Sequence, residues 1–397
     1  MKLGIAIPAL NEEDNIESII QRSLAARQYI QDHSSVTDVE VTVVSDGSTD
    51  RTVELASRYK DLIRLIIFSE NQGYGAAIKE AWMESDADLL GFLDADGTCD
   101  PNFFAPLCNQ ILEQKTDVAL GCRLNAESEM PLIRRLGNSI FASLLSIFAS
   151  SRVRDTASGM RVVRRSSLTH LFPLPDGLHF TPAMSARAMM SDAIRISELD
   201  MPYHERVGES KLRVIRDGFR FLRVIIETGL LYRPARPLNL AGIVLALLGT
   251  ALIFPPALYY LHHRAVLEWM IYRFLVSQLL GTAACLCFCA SYILTQMTEI
   301  ALADEIGKHQ PSWAEGFFHS AWFWVVNALL TAAGGSLVMG SVLQLIETGS
   351  TYEHWSRFVA MTFCLSVVTI LLITRCIEYV LSLVRKRVLY WQRTGRA

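Results

Sequence analysis

Two aspartates separated by one residue follow directly on an apolar run that is typical of a buried strand. The run is Leu89–Leu93, and the acids are Asp94 and Asp96 in the sequence DADG. Helix capping explains one acid in a turn, but it does not explain two carboxylates behind one strand. Hard oxygen ligands at this spacing suit a divalent cation, and a bound diphosphate would supply further oxygens. Because short acidic pairs are common in loops, the pair is informative only together with the motifs around it.

Three further polar motifs precede DADG, and each lies in a turn near the end of an apolar run. They are PALNEE from Pro8 to Glu13, SDGSTD from Ser45 to Asp50, and NQGYGAA from Asn71 to Ala77. The predicted strands are Leu3–Ile7, Val39–Val44, Leu65–Phe68 and Leu89–Leu93, and the predicted helices lie near Asp14–Ala26, Thr49–Arg58 and Tyr74–Met83. This alternation indicates a mostly parallel, doubly wound α/β sheet, whose ligands bind at the carboxyl ends of the strands.

The composition divides the chain into two parts. Hydrophobic residues make up 51% and charged residues 19% of the 397 residues, and the formal net charge is −3. These values exclude a disordered, collagen-like or disulfide-stapled chain, and they argue against a nucleic-acid partner. The first 235 residues or so resemble an ordinary globular protein, whereas the remainder has the composition of a membrane protein.

Four long apolar segments occupy the second part. They are Leu238–Leu261, Phe274–Met297, Ala321–Ile346 and Phe358–Thr374, the last continuing to Val384. The first has 24 residues, and a helix of that length spans roughly 36 Å, enough to cross a bilayer. The first three contain no Asp, Glu, Lys or Arg, whereas the fourth carries Arg375 and Glu378, which can pair near a helix end. The pattern predicts four transmembrane helices.

Basic residues flank these segments unequally. Arg233 and Arg236 precede the first segment. The residues that follow the fourth are Arg385, Lys386, Arg387, Arg393 and Arg396, and the two opposite loops hold only Arg264, Arg273 and Arg357. The positive-inside rule therefore predicts a multi-pass membrane protein whose N-terminal domain and both termini are cytoplasmic.

An amphipathic stretch connects the two parts. Its basic residues are Arg213, Arg216, Arg220 and Arg223, and its apolar residues are Ile215, Phe219, Leu222 and Ile226. This pattern favours a helix lying in the headgroup plane, although a domain helix with a solvated face has the same pattern. A second amphipathic stretch is Leu132–Phe148. The predicted divisions are a globular domain at 1–212, an interfacial helix at 213–235, four transmembrane helices at 236–386 and a cytoplasmic tail at 387–397.

The order of the motifs resembles the family 2 inverting glycosyltransferases of the GT-A fold. Residues 1 to about 215 are similar to the dolichol-phosphate mannose synthase group, which glycosylates polyprenyl phosphates. The narrower likeness depends on LGCR ending at Arg123, on Arg134-Arg135, on DTASGMR from Asp155 to Arg161, and on ERVGESKL from Glu205 to Leu212. The resemblance implies a nucleotide-binding α/β domain of the GT-A fold, and the apolar segments predict that an α-helical transmembrane domain follows it.

The resemblance also implies a role for individual residues. The nucleotide-sugar site would comprise Pro8, Leu10, Glu12, Val44, Asp46, Gly73, Asp94 and Ala95. Asp96 would be the chief ligand of Mg²⁺ or Mn²⁺, with Asp94 close by. The family usually has a metal-binding glutamine two positions further on, where this chain has Thr98. The hydroxyl of Thr98 can still bind the metal or a metal-bound water, so Thr98 is the third predicted metal residue and metal preference is open. Arg123, Arg206 and Lys211 would complete the catalytic set with Asp96, and the acceptor phosphate would bind Arg134, Arg135, Arg206 and Lys211.

The expected reaction is metal-dependent transfer of a hexose from a nucleotide sugar to a polyprenyl or dolichyl phosphate. An anionic acceptor needs positioning rather than deprotonation, so no protein general base is expected. GDP-mannose and UDP-glucose are both candidate donors. The alternative for the cations of ERVGESKL is simple pairing, in which Arg206 and Lys211 bind Glu205 and Glu209.

Three rival functions remain at this point. A family 2 polysaccharide synthase is disfavoured because QxxRW is absent after Arg161, and a transferase acting on a neutral lipid would need a base. A lipid flippase or transport partner with a degenerate transferase domain is disfavoured because the DADG set is intact. Small residues such as Gly334, Gly335 and Gly340 would allow close helix packing in a homo-oligomer.

Overall fold

The computed structural model describes residues 1–125, 128, 130–149, 151–203, 214–302, 313–350 and 354–394. The chain divides into two compact units, Met1–Tyr232 and Arg233–Ala397. Each unit has its own packed interior and is described separately.

The first unit is built on a seven-stranded sheet. The strands are β1 (Lys2–Ala9), β2 (Asp38–Asp46), β3 (Arg64–Phe68), β4 (Leu89–Leu93), β5 (Val118–Cys122), β6 (Met160–Arg164) and β7 (Ile196–Asp200). Their order across the sheet is β3-β2-β1-β4-β6-β5-β7. β6 runs antiparallel to its neighbours β4 and β5, and the other pairings are parallel. The central strand β4 is buried throughout, as expected where helices cover both faces.

Helices lie on both faces of this sheet. The helices of this unit are α1 (Ile16–His33), α2 (Thr52–Ser57), α3 (Tyr74–Glu84), α4 (Phe104–Glu113), α5 (Leu132–Phe148), α6 (Leu168–Leu171), α7 (Phe180–Met190) and α8 (Val214–Tyr232). One core joins α1 and α4 to the sheet, with Ile19 and Leu107 fully buried. The other joins α3 and α7, with Trp82 and Phe180 at its centre. The predicted doubly wound α/β domain is therefore confirmed, with the antiparallel β6 as its departure from a mostly parallel sheet.

The two amphipathic helices α5 and α8 pack against each other through Phe141 and Phe221, whose ring centroids are 5.6 Å apart. Phe221 and Ile225 form the buried side of α8. The side that the sequence pattern marks as apolar is exposed instead, with Phe219 70% and Ile226 49% accessible. Helix α8 therefore presents large apolar side chains outward, next to its exposed arginines.

The second unit consists of helices. They are α9 (Ala235–His263), α10 (Ile271–Ala301), α11 (Trp313–His319), α12 (Ala321–Thr348) and α13 (Trp355–Thr394). By length and composition, four helical stretches of the described residues could cross a membrane, and they correspond to α9, α10, α12 and α13. The four predicted apolar segments lie in these helices. Helix α13 continues to Thr394, into the region predicted to be a tail, and Arg375 pairs with Glu378 as expected from their spacing.

Close helix contacts in this unit depend on small residues. A Cβ added at Gly242 would lie 3.0 Å from the ring of Phe288, and one added at Gly281 would lie 2.9 Å from the ring of Phe363. These glycines join α9 to α10 and α10 to α13. Small residues at such contacts are typical of helices that pack in a membrane.

Candidate active site

Segments from distant parts of the sequence meet at one edge of the sheet. Strands β1, β2, β4 and β5 end at this edge, because β4 is parallel to β1 and β6 runs antiparallel to both β4 and β5. The opposite direction of β6 places its amino end, and therefore the DTASGMR motif, at the same edge. The polar motifs of the sequence thus converge as their positions behind the strands predict.

The acid pair lies in the loop after β4, and hydrogen bonds hold both carboxylates. The hydroxyl of Tyr74 donates to Oδ1 of Asp94 at 2.7 Å. Oδ1 of Asp96 accepts from the backbone N–H and the hydroxyl of Thr98, at 3.2 and 2.7 Å. Asp96 is 7% exposed. Tyr74 therefore orients the carboxylate of Asp94, and Thr98 orients that of Asp96.

The acid pair fits a divalent cation in its donor chemistry. Both side chains offer hard carboxylate oxygens in one short loop, as Mg²⁺ and Mn²⁺ require. No cluster of three or more His, Cys, Asp or Glu side chains occurs in the part of the chain that the structure describes, so the described site is not a closed protein cage. An open pair suits a cation shared with substrate phosphates. Thr98 orients Asp96 in this geometry, and its role as a metal ligand stays a prediction.

Tyr74 is a site residue that the sequence motifs did not single out. Its ring packs edge-on against Phe92 and Phe180, at 6.3 and 6.4 Å between centroids. Burial, together with the charge of Asp94, raises the pKa of the Tyr74 hydroxyl well above its ordinary value, so the hydroxyl stays protonated and donates. Its position inside the NQGYGAA motif is the feature of the sequence that could have identified Tyr74 as a site residue.

Backbone at Gly159 closes the other side of Asp94. A Cβ added at Gly159 would lie 1.9 Å from Oδ2 of Asp94, which is too close for any side chain. Asp94, in the loop after β4, therefore requires the glycine of the DTASGMR motif. Asp94 is held between this backbone and the Tyr74 hydroxyl.

Asp46 holds the loop that begins α3. Its carboxylate oxygens accept from the backbone N–H of Gln72 at 2.7 Å and of Gly73 at 3.0 Å, and the side chain is 3% exposed. Gly73 has a φ of +115°, and a Cβ there would lie 2.4 Å from the carbonyl oxygen of Asp176. Only glycine fits this position. Asp46 therefore shapes the loop in this structure, and its predicted contact with the nucleotide stays a prediction.

The remaining predicted nucleotide-sugar residues differ in accessibility. Leu10 and Glu12 are partly exposed in the loop after β1. Pro8, Val44 and Ala95 are buried, so their backbone rather than their side chains could face a ligand. Asn11, beside them, has a φ of +50° and accepts from the backbone N–H of Thr49 at 2.8 Å. This contact joins the PALNEE and SDGSTD loops.

Arg123 forms a bidentate ion pair with Asp155. Its Nε and one terminal nitrogen donate to the two carboxylate oxygens at 2.7 and 2.9 Å, and Asp155 is fully buried. Burial alone would raise the pKa of Asp155, but Arg123 outweighs it and holds the pKa below its ordinary value. Burial alone would also lower the pKa of Arg123, and Asp155 reverses the direction. Both groups are therefore charged at neutral pH.

Further contacts hold Arg123 and Asp155 in place, and the sequence analysis did not predict them. Nδ2 of Asn138 donates to Asp155 at 2.7 Å, and the guanidinium of Arg123 lies 5.5 Å from the ring centroid of Tyr203. The hydroxyl of Thr156 donates to Oδ1 of Asn138 at 2.8 Å. Asp155 and Asn138 thus fix the arginine. Asp155 could have been identified from the sequence because it begins the DTASGMR motif, whereas Asn138 lies in none of the motifs.

The other cations predicted to bind phosphate are Arg134, Arg135, Arg206 and Lys211. Arg135 donates to the carbonyl oxygen of Asn125. The side chain of Arg134, and Arg206 and Lys211 altogether, lie outside the described residues. Their predicted binding of phosphate stays a prediction.

The fold and the site define a nucleotide-binding α/β domain with an acid pair and a fixed arginine at its ligand edge. The family model for Glycosyl transferase family 2 matches residues 4–172. A dolichyl-phosphate hexose transferase from Haloferax volcanii is 32% identical over 230 residues, which cover 57% of this chain and 92% of that protein. The chain belongs to glycosyltransferase family 2.

Two further relatives agree with this assignment. A low-salt glycan biosynthesis hexosyltransferase from Haloferax volcanii is 31% identical over 254 residues, covering 62% of this chain and 59% of that protein. An undecaprenyl-phosphate 4-deoxy-4-formamido-L-arabinose transferase from Photorhabdus laumondii is 26% identical over 259 residues, covering 62% and 74%. The predicted family, the family 2 glycosyltransferases, is confirmed, with its α/β domain ahead of membrane-capable helices, and the chain spans about three fifths of the length of the hexosyltransferase.

Proposed function

We propose that the chain transfers a hexose from a nucleotide sugar to the phosphate of a polyprenyl lipid. The observation that supports this proposal is the convergence, at one sheet edge, of the acid pair Asp94 and Asp96 with the fixed arginine Arg123. A carboxylate pair suits a cation that neutralises a leaving diphosphate, and an arginine adds charge stabilisation where anionic substrates meet. Relatives whose names specify dolichyl or undecaprenyl phosphate support the choice of acceptor.

The residues of the chain would divide the work between binding and charge stabilisation. Asp96 and Asp94 would hold Mg²⁺ or Mn²⁺, which when bound supplies Lewis-acid stabilisation of the diphosphate. Arg123 is kept rigid by Asp155, so little conformational entropy would be lost when its remaining donors bind a phosphate. Tyr74 and Thr98 position the acids. Arg134, Arg135, Arg206 and Lys211 are proposed to hold the acceptor phosphate.

No side chain is proposed to act as general base. The pKa of Asp155 is below its ordinary value, because Arg123 outweighs the effect of burial, so its carboxylate is a weak proton acceptor near neutral pH. A phosphate monoester acceptor is already ionised at that pH and needs only orientation. A neutral alcohol acceptor would instead require a base with a pKa near 7.

Transfer by the purified full-length chain tests the proposal directly. The chain is incubated with Mg²⁺ or Mn²⁺, undecaprenyl phosphate, and radiolabelled UDP-glucose or GDP-mannose in separate reactions. We expect labelled lipid that mild acid hydrolyses, with one donor preferred. Undecaprenol is the matched acceptor without the phosphate, and we expect no product from it. Label in a long polymer, equal use of undecaprenol, or no transfer from a wider panel of nucleotide sugars would overturn the proposal.

The chain is further proposed to be a multi-pass membrane protein with both termini and the first unit in the cytoplasm. Four long apolar helices, the exposed apolar side chains of α5 and α8, and the basic residues flanking the helices support this orientation. A membrane-impermeant maleimide applied to intact cells should label Leu267→Cys, in the loop after α9, but not Thr394→Cys.

Unmodified protein gives the background from the native cysteines, and permeabilised cells should make Thr394→Cys reactive as well. Labelling of Thr394→Cys alone in intact cells would reverse the orientation. It would also move the candidate active site to the other side of the membrane.

A further inference from the structure

An arginine of α1 holds the loop that carries Asp96. One terminal nitrogen of Arg22 donates to the carbonyl oxygen of Gly97 at 3.1 Å, and the other donates to the carbonyl oxygen of Cys99 at 2.9 Å. Gly97 has a φ of +75°, so the chain turns sharply there. The guanidinium of Arg22 therefore binds the two carbonyls on either side of Thr98, the residue that donates to Asp96.

These two bonds fix the backbone of Thr98. A guanidinium is planar and its N–H groups point in fixed directions, so a segment bound at two carbonyls cannot turn freely between them. The N–H and the hydroxyl of Thr98 donate to Oδ1 of Asp96 at 3.2 and 2.7 Å, and Thr98 is 1% exposed. A continuous path of hydrogen bonds thus leads from Arg22 through Thr98 to the carboxylate of Asp96.

Helix α1 gives Arg22 a rigid support. Ile19 and Ile20 precede Arg22, Ala26 and Ile30 follow it, and all four are buried in the core that joins α1 to the sheet. Arg22 itself is partly buried. A loop held by a side chain on a packed helix is positioned more precisely than a loop held only by its own contacts.

A second arginine of α1 makes a comparable contact away from the acid pair. Arg27 donates to the carbonyl oxygen of Leu62 at 2.8 Å, and it is partly buried like Arg22. Both arginines join α1 to a neighbouring loop, but the loop that Arg27 contacts precedes β3 and carries none of the site motifs. Arg27 therefore shows what an arginine of this helix contributes to the fold alone.

We propose that Arg22 is a positioning residue for the metal site, which orients Asp96 through Thr98 and so strengthens the binding of a divalent cation with a nucleoside diphosphate. The inference rests on the proposed function, because that function assigns the cation to Asp96. No group of three or more His, Cys, Asp or Glu side chains occurs among the described residues, so the cation depends on few protein ligands. A carboxylate that is already oriented loses less freedom when the cation binds.

Binding of Mn²⁺ to the full-length chain, measured by electron paramagnetic resonance with UDP or with GDP, tests the proposal. Arg22→Met keeps an unbranched aliphatic stem and removes the donors. We expect this variant to raise the dissociation constant of Mn²⁺ about tenfold, roughly the effect of one lost charge-assisted hydrogen bond. Arg22→Lys offers a point charge without the planar fork and should recover only part of the affinity. Arg27→Met is the matched control and should bind Mn²⁺ as the unmodified chain does.

A double-mutant cycle tests the path through Thr98. Thr98→Val removes the hydroxyl that donates to Asp96 and keeps a similar shape. If Arg22 acts through Thr98, then Arg22→Met should weaken Mn²⁺ binding less in the Thr98→Val background than in the unmodified chain. An equal loss of affinity in both backgrounds would overturn this path.

Turnover distinguishes positioning from a general loss of stability. The Mn²⁺ concentration that gives half the maximal rate should be about tenfold higher for Arg22→Met than for the unmodified chain. At saturating Mn²⁺, kcat and KM for undecaprenyl phosphate should return to within about threefold of the unmodified values, because the reacting groups are unchanged. Thermal unfolding should show similar losses of stability in Arg22→Met and Arg27→Met, since each loses contacts to one loop.

The outcomes separate this proposal from the proposed function. Unchanged Mn²⁺ binding in Arg22→Met, or an equal loss in Arg27→Met, overturns the positioning role while the proposed function stands. Unchanged binding in Arg22→Lys overturns the contact with two carbonyls, and this variant decides the matter if Arg22→Met does not fold. Mn²⁺ binding that depends on Arg22, without transfer to any polyprenyl phosphate, supports the positioning role and overturns the proposed function instead. No Mn²⁺ binding by the unmodified chain with either nucleotide overturns the positioning role and the metal assignment together.

Discussion

Replacing Asp96 with asparagine is expected to lower the rate of hexose transfer about a thousandfold or more, because several kcal/mol of transition-state stabilisation depend on a charged metal ligand. Asparagine has nearly the shape of aspartate, and its amide oxygen can still accept from the backbone and hydroxyl of Thr98. The fold should therefore survive while the negative charge is lost. Initial rates at saturating nucleotide sugar, with and without EDTA, measure the effect.

A binding measurement distinguishes lost metal affinity from a misplaced loop. Electron paramagnetic resonance of Mn²⁺ in the presence of nucleoside diphosphate should show weaker binding to Asp96→Asn than to the unmodified chain. Asp86→Asn is the matched control, since Asp86 pairs with Lys2 at the surface and lies away from the DADG loop. Full activity of the unmodified chain in EDTA, or wild-type turnover by Asp96→Asn, would contradict the assignment of Asp96.

The sequence predicted the part of the site that local pattern determines. β4 begins and ends at the predicted residues Leu89 and Leu93, because the apolar run is short and acids follow it at once. A parallel sheet then requires that the loops after its strands share one edge, so the convergence of the motifs followed without any knowledge of contacts. Both the loops that form the site and their position at one edge of the sheet could therefore be predicted from the sequence.

Contacts between distant segments could not be predicted from the hydrophobic pattern. Tyr74 bonds to Asp94 across 20 residues, and Arg123 bonds to Asp155 across 32. Such pairs depend on the exact register of β4, β5 and β6, which hydrophobic periodicity does not specify. The direction of β6 is a further example, because a strand buried on both faces has the same pattern in either direction.

Hydrophobic periodicity also did not predict which side of α8 packs against the first unit. Periodicity identified an amphipathic helix, but the residues that pack into the first unit are Phe221 and Ile225, whereas Phe219 and Ile226 point outward. A helix with apolar residues on more than one side can bury only one of them against its own domain. The second side is then available for a lipid surface, in line with the proposed interfacial position.

Removing Arg123 is expected to destabilise the first unit by about 3–5 kcal/mol, because Arg123→Ala leaves a buried carboxylate without its counter-charge. Asp155 is fully buried, so water cannot replace the lost arginine. The bond from Asn138 to Asp155 persists in the variant but supplies no charge. Denaturant unfolding of the full-length chain in detergent, followed by the fluorescence of Trp82, which is buried in the first unit, measures the change.

The loss of stability in Arg123→Ala is expected to depend on pH in a defined direction. In the unmodified chain the pKa of Asp155 lies below its ordinary value of 3.8, because the Arg123 ion pair outweighs the opposing effect of burial. The stabilisation is therefore fully present above pH 3.8 and is lost as the pH falls through the lowered value. In Arg123→Ala the counter-charge is gone, and burial, the largest influence on Asp155, is opposed by the hydrogen bonds from Asn138 and from the backbone N–H of residue 123. We expect burial to prevail and to raise the pKa of Asp155, so that variant should gain stability as the pH falls from 7. The difference between the two proteins should consequently shrink on acidification.

Arg154→Ala is the matched control, because Arg154 also pairs with acids but does so at the surface, 2.6 Å from Asp200 with 53% of its side chain exposed. An exposed pair contributes roughly 0–1 kcal/mol, so this variant should unfold nearly as the unmodified chain does. Arg123→Lys restores the charge without the bidentate geometry and should recover only part of the stability. Equal effects of Arg123→Ala and Arg154→Ala, or a difference that grows on acidification, would contradict a buried ion pair, because only a buried charge left without its partner responds to pH in the predicted direction.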